Sequence, residues 1–551
     1  MLSEAFEIKG VLYQEKNQLT DAKICFKCAI KYRKNLGEID NTLAWLHYCL
    51  GLCEESLLEK LEAEESYLEY LKILQANKNF VSVQGELLFA EGLIKRIQEK
   101  SNYLEPLNKA FAFFLNEKDE KFVCHAGYEL GISYANEKKY NQALEVFEKI
   151  KPYVVHRYGE KHSKTGTILY WIGFMNYNLA NYHQAEETLQ RSLELVRKRK
   201  SHLHLGYVHL ELGSTYEALC QYQKALDAYD QASKYFEKDS MEGVSIDDFR
   251  GNVLFEMGKY QESLMCYLRC CEKYMEIYGD DNVNTADSYV NVAKGYWKRG
   301  EYGNALVYLH KAEKIYKEVH DSNSSEIAEL LTLKSDIFYD KGEYDKSLEL
   351  VEKALKIDQH IYGLDHPNIA ADYLNLAKAL EKQHSYTRAL EYAEKALEIN
   401  EKKEGPESIF MARNISMIGL IECRLGKYKE GLTRQQSAIK IYEAQHYLPK
   451  EDYSDALYRK ALAEYLLNDH DNAFKEAQKA LNIKVSICSA NVADYYHLLG
   501  QIAKAQKKSE DAIVFLMKSL EMKKILFENH PNPEIIQLEK EITSIQENLQ
   551  K

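Results

Sequence analysis

One pattern runs through this 551-residue sequence and limits the folds that it can adopt. Thirteen times, a small residue is followed twelve positions later by a second one, with leucine replacing the second in one unit. Successive units start 38 to 42 residues apart, and their first positions are Gly10, Gly51, Gly92, Gly131, Gly173, Gly213, Gly251, Ala293, Ser335, Ala377, Gly419, Ala461 and Gly500. Such a period is typical of solenoids, in which each unit buries its apolar face against the next.

Residues 370–399 show what one unit forms. Their apolar side chains recur at steps of three and four on two helical faces, which a short polar turn separates. This spacing predicts two amphipathic helices. Ala377 and Ala389 are small enough to let the two helices pack closely. We therefore predict an all-α fold, an α-solenoid of about thirteen helical hairpins.

The repeats organise the chain into segments. Residues 1–236 contain repeats 1–6, and residues 251–531 contain repeats 7–13. Residues 237–250 are polar and lack the helical periodicity, which predicts a hinge or bent seam; a slightly shortened helix with intact stacking is the open alternative. Residues 532–551 carry one apolar stripe on an otherwise polar helix, and we expect this helix to cap the end of the solenoid.

Composition favours a cytoplasmic protein that binds neither nucleic acid nor membrane. The formal net charge is −13, whereas nucleic-acid binding needs a basic surface. No apolar stretch approaches the roughly 20 residues that span a bilayer. The eleven cysteines, with Cys270 and Cys271 adjacent, indicate reduced thiols. The oligomeric state does not follow from these features.

The sequence contains no convincing catalytic or metal-binding motif. It lacks a phosphate-binding loop, a dinucleotide fingerprint and an H-E-x-x-H helix. Cys25 and Cys28 form an isolated C-x-x-C on a repeat helix, and we interpret them as structural thiols. We predict that the protein is not an enzyme and needs no cofactor.

The repeat resembles the tetratricopeptide repeat (TPR) family. Repeat 4 carries Leu130, Gly131, Tyr134, Ala143 and Phe147 at the positions diagnostic of that family. The resemblance extends over all thirteen repeats, although the family repeat is commonly 34 residues long. The additional eight residues correspond to about one further turn per helix. The resemblance implies that the α-solenoid is a right-handed superhelix with a concave groove.

The longer repeats resemble those of kinesin light chains, which carry a Tyr-Gly-x-Asp-His-Pro loop before the next helix. Tyr362, Gly363, Asp365, His366 and Pro367 match that loop before repeat 10. This resemblance is good over roughly residues 263–473 and implies a groove that takes short peptides with acidic residues.

The same resemblance indicates candidate binding residues. In a TPR superhelix the first helix of each unit lines the concave side. Counting from the small residues of repeats 8 and 10, the candidate groove residues are Asn291, Lys294, Lys298, Asn375, Lys378 and Lys382. Asparagine offers a donor and an acceptor to a peptide backbone, and lysine offers charge to carboxylates. Repeat 9 places Glu329, Asp336 and Asp340 at comparable positions. A ligand of mixed charge and simple pairing of the lysines with these acids both remain open.

Two functions fit this sequence. The first is a non-catalytic adaptor or scaffold that binds a protein segment in the concave groove. The alternative is an intracellular receptor for a signalling peptide, which changes its superhelical conformation when the peptide binds. The sequence does not identify the partner.

Overall fold

The described residues are entirely helical outside their turns. The computed structural model describes residues 2–15, 18–76, 83–197, 202–319, 323–403, 405–445, 448–486, 492–526 and 533–550. In these residues there are 27 α-helices. The chain divides into two compact units, Met1–Lys238 and Asp239–Lys551. Each unit is described separately.

The first unit is a stack of six helical hairpins. Its helices are α1 (Leu2–Glu15), α2 (Leu19–Asn35), α3 (Asn41–Ser56), α4 (Lys60–Ala76), α5 (Val83–Ile97), α6 (Leu104–Glu117), α7 (Glu120–Asn136), α8 (Tyr140–Tyr158), α9 (Ser163–Asn178), α10 (Tyr182–Arg197), α11 (His202–Ala218) and α12 (Tyr222–Ala232). Each odd-numbered helix packs against the even-numbered helix that follows it, and each hairpin packs on the next.

The second unit contains seven hairpins and a final helix. Its helices are α13 (Met241–Glu256), α14 (Tyr260–Tyr278), α15 (Val283–Lys298), α16 (Tyr302–Val319), α17 (Ser325–Asp340), α18 (Tyr344–Tyr362), α19 (Pro367–Lys382), α20 (Tyr386–Lys403), α21 (Ile409–Arg424), α22 (Tyr428–Glu443), α23 (Lys450–Leu466), α24 (His470–Ser486), α25 (Ala493–Ala505), α26 (Ser509–Leu526) and α27 (Pro533–Gln550). The predicted all-α repeat solenoid is confirmed.

The small residues of each repeat lie where the two helices of a hairpin meet. Ala377 on α19 and Ala389 on α20 are fully buried. In repeat 9, where both positions are serine, the Ser335 hydroxyl lies 2.9 Å from the main-chain oxygen of Ser347, to which it donates. A larger side chain at either position would separate the helices, because packed interiors leave no room for additional atoms.

Local capping residues fix where the helices begin and end. The Ser408 hydroxyl accepts a hydrogen bond from the Met411 amide at 3.2 Å, which caps the start of α21. At the end of α15, Gly300 has a φ of 78°. Its amide donates to the Trp297 carbonyl, and the next amide donates to the Tyr296 carbonyl. This left-handed ending suits glycine and turns the chain into α16.

The stretch predicted as a seam is largely helical. α12 ends at Ala232, and α13 begins at Met241 behind the Ser240 cap. Residues 233–240 therefore connect these helices, and Asp247 pairs with Arg269 at 3.2 Å. The hinge or bent seam at residues 237–250 stays a prediction. Limited proteolysis that cuts elsewhere and spares residues 233–240 would contradict it.

The final helix, α27, packs on the last hairpin. Leu538, Ile542 and Ile545 of α27 are buried against Ala512 and Leu516 of α26. Ile535, on the same apolar stripe, is also buried, and the side chain at stripe position 549 lies outside the described residues. None of the described helices has both the length and the hydropathy that crossing a bilayer requires.

Successive first helices of the second unit contact one another. α15 contacts α17, and the contacts continue through α19, α21 and α23 to α25. These six helices therefore form one layer, which positions the candidate site.

Candidate functional site

The layer of first helices in the second unit forms a charged cleft of about 490 Å³. Seven cationic and seven acidic side chains line it. They are Lys298, Lys378, Lys382, Arg413, Arg424, Arg459 and Lys484, together with Asp336, Asp340, Glu381, Glu451, Asp452, Asp455 and Asp494. Because the two sets balance, the pairing between them decides which charges remain for a ligand.

Four of the six predicted groove residues line this cleft: Lys298, Asn375, Lys378 and Lys382. The other two predicted residues, Asn291 and Lys294, lie on α15 and do not line the cleft. The Asn291 amide donates to Asp248 at 3.0 Å, and Lys294 pairs with Glu329 at 2.7 Å. The Lys294 contact is the pairing of lysines with neighbouring acids that the sequence left open.

Glu451, at the start of α23, is the centre of a cluster that we call the Glu451 clasp. Its carboxylate accepts hydrogen bonds from the Tyr260 hydroxyl at 2.9 Å and from Lys298 at 3.1 Å. Lys484 lies 3.5 Å away. Burial alone would raise the pKa of Glu451, but Lys298 and Lys484 outweigh it and hold that pKa well below its usual range.

A second carboxylate holds another predicted lysine. Asp494, in the first turn of α25, lies 3.5 Å from Lys382 and 2.9 Å from Lys523. The charge of Asp494 raises the pKa of Lys382, and the two lysines hold the pKa of Asp494 below its usual value against the effect of burial. Lys298 and Lys382 are thus both engaged by acids of this chain.

Lys378 and Arg459 differ from those lysines. Lys378 donates to the Asn375 side-chain oxygen at 3.1 Å, and Arg459 donates to the Ser416 hydroxyl at 2.9 Å. Neither forms an ion pair with any residue in the described part of the chain. Burial lowers the pKa of Lys378, and Arg413 and Arg459 add to this effect against the opposing charge of Asp336.

Asn414 of α21 also lines the cleft and has an unusual environment. Its side chain is fully buried, yet neither its amide nitrogen nor its amide oxygen has a hydrogen-bond partner among the described residues. An unsatisfied buried amide costs about 1–3 kcal/mol of stability. The Asn414 side chain therefore has a donor group and an acceptor that form no hydrogen bond with the described residues.

Two acids of α17, Asp336 and Asp340, also line the cleft. Asp340 accepts a hydrogen bond from the Trp297 ring nitrogen at 2.7 Å. Burial raises the pKa of Asp340 to about 6 and also raises the pKa of Asp336. The predicted acids of repeat 9 thus face the cleft at these two positions.

Sequence reasoning missed Arg459, although a signal was present. Arg459 stands two residues before Ala461, the register that Asn375 has relative to Ala377. Extending the register to repeat 12 would have found it. Glu451 had no comparable signal, because 153 residues separate it from Lys298.

Across the described ranges no group of three or more His, Cys, Asp or Glu residues has a metal-binding arrangement. Cys25 and Cys28, the isolated C-x-x-C, are free thiols.

The comparisons with known proteins agree with the repeat. Family models described as tetratricopeptide repeat match residues 164–238, 245–318 and 326–402, and a second such model matches residues 493–525. No curated protein matches the sequence.

Solved structures resemble the chain in fold. A Rap protein complexed with competence and sporulation factor has a TM-score of 0.51 at 17% identity, covering 67% of this chain and 100% of its own. The APC/C hetero-tetramer Cut9-Hcn1 has a TM-score of 0.46 at 12% identity, covering 96% of both chains. The TPR-like repeats of a Podosopora anserina kinesin light chain have a TM-score of 0.32 at 16% identity, covering 37% of this chain and 96% of theirs.

Proposed function

Because this chain is a tetratricopeptide-repeat protein, we propose that it is a non-catalytic scaffold that holds a segment of a partner protein in the cleft of residues 239–551. Solenoids of this kind use their concave faces as binding surfaces. The observation that carries the proposal is the cleft itself, which six consecutive first helices line with charged and amide side chains.

The size and chemistry of the cleft support a short, extended segment. A volume of about 490 Å³ is within the range of roughly 300–1,000 Å³ that small-ligand sites occupy. Asn375 and Asn414 supply donors and acceptors for a peptide backbone, and Trp297 and Tyr495 supply aromatic surface. Four of the residues predicted from sequence belong to this lining.

A signal receptor is the second candidate function. The Glu451 clasp joins α14 and α15 to α23, so a ligand that competes for Lys298 would release a contact between distant repeats. The Rap protein that this chain resembles in fold was solved with competence and sporulation factor. A scaffold should keep its shape when ligand binds, whereas a receptor should change its radius of gyration, which small-angle X-ray scattering measures.

Selection from a peptide library tests the proposal. Phage displaying random twelve-residue peptides are enriched on the full chain, and the most enriched peptide is synthesised with a photo-crosslinking residue. We expect crosslinks on α19, α21 and α23. An Ala371→Trp variant, which fills the cleft from an exposed position on α19, should abolish binding.

The matched control is Glu349→Trp, which places the same ring on the exposed face of α18. It should bind as the unmodified chain does. Crosslinks outside the cleft, or equal binding by both tryptophan variants, would overturn the proposed site.

A further inference from the structure

The second helix of the last hairpin, α26, exposes apolar side chains to solvent. Val514 and Met517 are 52% and 54% exposed, and Ile525 is 72% exposed. Lys518 and Glu521 are also exposed. At about 100° per residue these five positions fall within roughly 100° of the helix circumference, so they share one face. We call this set of five residues the α26 stripe.

Other second helices carry polar residues on the equivalent face. Counted from the second small residue of each repeat, the three apolar positions of the α26 stripe correspond in α18 to the exposed residues Glu349, Glu352 and His360. In α20 all three positions are charged. Polar residues are typical of a helix face that contacts water, whereas a contiguous apolar face marks an interaction site. The comparison between repeats therefore indicates that another molecule covers α26.

The final helix of the chain leaves the α26 stripe uncovered. α27 packs on Ala512 and Leu516, which are fully buried. These two residues lie on the other side of α26, about half a turn around the helix from the stripe. The exposed side of α26 is therefore available to a second molecule.

The order of residues in the α26 stripe indicates which molecule that is. In an antiparallel pair of α26 helices centred between positions 519 and 520, Val514 of one copy faces Ile525 of the other. The same register places Lys518 opposite Glu521. Both contacts occur twice, because a two-fold axis relates the copies. Neither Lys518 nor Glu521 forms an ion pair within the described part of its own chain, although Lys518 lies 5.4 Å from the centre of the Tyr496 ring.

We propose that the α26 stripe is a docking surface for a second copy of this chain, and that two α26 helices pair antiparallel about a two-fold axis. The inference goes beyond the proposed function and does not rest on it, because α26 contributes no residue to the cleft. A dimer of this kind carries two clefts.

The size of the stripe predicts a weak dimer. Two helices that pair along three turns bury less than the roughly 1,200–2,000 Å² of a stable interface. Burial of the apolar side chains supplies most of the attraction. The exposed pairs between Lys518 and Glu521 add little affinity, but they select the antiparallel register. We expect a dissociation constant in the micromolar range.

Sedimentation velocity of the full chain at low ionic strength, over protein concentrations that span the micromolar range, tests the dimer. We expect a shift from monomer to dimer as the concentration rises. Lys518→Glu places like charges opposite each other at both charged contacts and should weaken the dimer about tenfold. Glu521→Lys should do the same for the same reason.

Combining the two substitutions restores complementary charges in the antiparallel register. The Lys518→Glu chain and the Glu521→Lys chain, mixed in equal amounts, should associate more strongly than either does alone. A chain with both substitutions should dimerise as the unmodified chain does. Structural damage by either substitution would not be rescued in this way.

Two further variants separate the apolar contact from a general charge effect. Val514→Glu introduces the residue type that α18 carries at this position and should abolish the dimer. Lys353→Glu is the matched control, because Lys353 occupies the position of Lys518 on the exposed face of α18. It should leave the dissociation constant unchanged. Circular dichroism verifies that each variant folds.

Three results would overturn the inference. The chain could stay monomeric at every concentration, the dimer could survive Val514→Glu, or the mixed chains could associate no better than each chain alone. The first would leave the stripe to a different protein, and the second would place the contact between copies elsewhere. The peptide-binding test with Ala371→Trp examines the cleft, so failure of the dimer and failure of the proposed function are distinguishable.

Discussion

The pKa of a buried polar side chain depends on its surroundings, as His47 shows. His47 on α3 is 5% exposed, and neither ring nitrogen has a hydrogen-bond partner among the described residues. Burial and the nearby Lys34 lower its pKa to about 4. The folded state thus holds His47 neutral at pH values where an unfolded histidine is protonated.

This histidine predicts acid sensitivity. Below pH 6.5 His47 is protonated in the unfolded chain, whereas in the folded protein it stays neutral down to about pH 4. Because the unfolded state binds the additional proton, the free energy of unfolding decreases as the pH falls from 6.5 to 4. His47→Leu lacks this proton-binding group, so the substitution should avoid about 2 kcal/mol of the decrease in the free energy of unfolding at pH 5 and almost none at pH 7.5. Urea unfolding followed by tryptophan fluorescence measures this. The exposed His156→Leu is the control, and an equal pH dependence in both variants would contradict the prediction.

Asn414 predicts a conflict between stability and binding. Because its amide is buried without a partner, Asn414→Leu should raise the free energy of unfolding of the unliganded protein by about 1–3 kcal/mol. The same change should weaken peptide binding. Urea unfolding and anisotropy measure the two effects.

Gln435 in the same repeat is the matched control for Asn414. It is equally buried, but its amide donates to the Ser416 carbonyl at 2.7 Å and accepts from the Ser416 hydroxyl. Gln435→Met should therefore destabilise the protein. Destabilisation by Asn414→Leu as well would mean that its amide is satisfied.

At the scale of the helix, close packing within each hairpin dominates over helix propensity. A Cβ atom on Gly213 of α11 would lie 2.3 Å from the Tyr229 ring, whereas one on Gly303 of α16 would meet nothing within 4 Å. Both glycines are helical: Gly213 lies in the interior of α11, and Gly303 is the second residue of α16. The two positions differ in whether a neighbouring side chain occupies the space that a Cβ atom would need.

This contrast predicts opposite effects of one substitution. Gly303→Ala should stabilise the protein by about 0.5–1 kcal/mol through helix propensity. Gly213→Ala gains the same propensity, but overpacking against Tyr229 costs about 1–3 kcal/mol, and we expect net destabilisation. Thermal unfolding by circular dichroism compares them, and stabilisation by both would show that the α11–α12 contact readily adapts.

At the scale of the whole molecule, the Glu451 clasp connects distant repeats within residues 239–551. Glu451→Gln keeps the size of the side chain but removes the charge that holds Lys298 and Lys484. We expect several-fold faster hydrogen exchange at the end of α15 and the start of α23. The reason is that α15 and α23 would lose the ion pair between Lys298 and Glu451.

Glu398→Gln is the control for the clasp, since Glu398 pairs with Lys402 on the exposed face of α20. It should leave exchange at α15 and α23 unchanged. Equal exchange in the two variants would mean that packing alone holds these repeats together.

Local sequence patterns suffice to predict the helices, the hairpins and the residues that face inward. Helical periodicity and the spacing of small residues are local, so the register of Ala377 sufficed to place Asn375, Lys378 and Lys382 at the cleft. The prediction of a capping end helix rests on the same kind of pattern. Applying the same register to repeat 12 would also have placed Arg459 at the cleft.

Which of these charges are engaged depends on contacts between repeats that lie far apart in the sequence. Lys298 and Lys378 are both lysines of first helices, yet Lys298 forms an ion pair with Glu451, whereas Lys378 forms no ion pair within the described residues. The curvature of the stacked hairpins brings residues 298 and 451 together across the cleft. Such curvature accumulates from small rotations at every repeat interface, and no local sequence pattern encodes their sum.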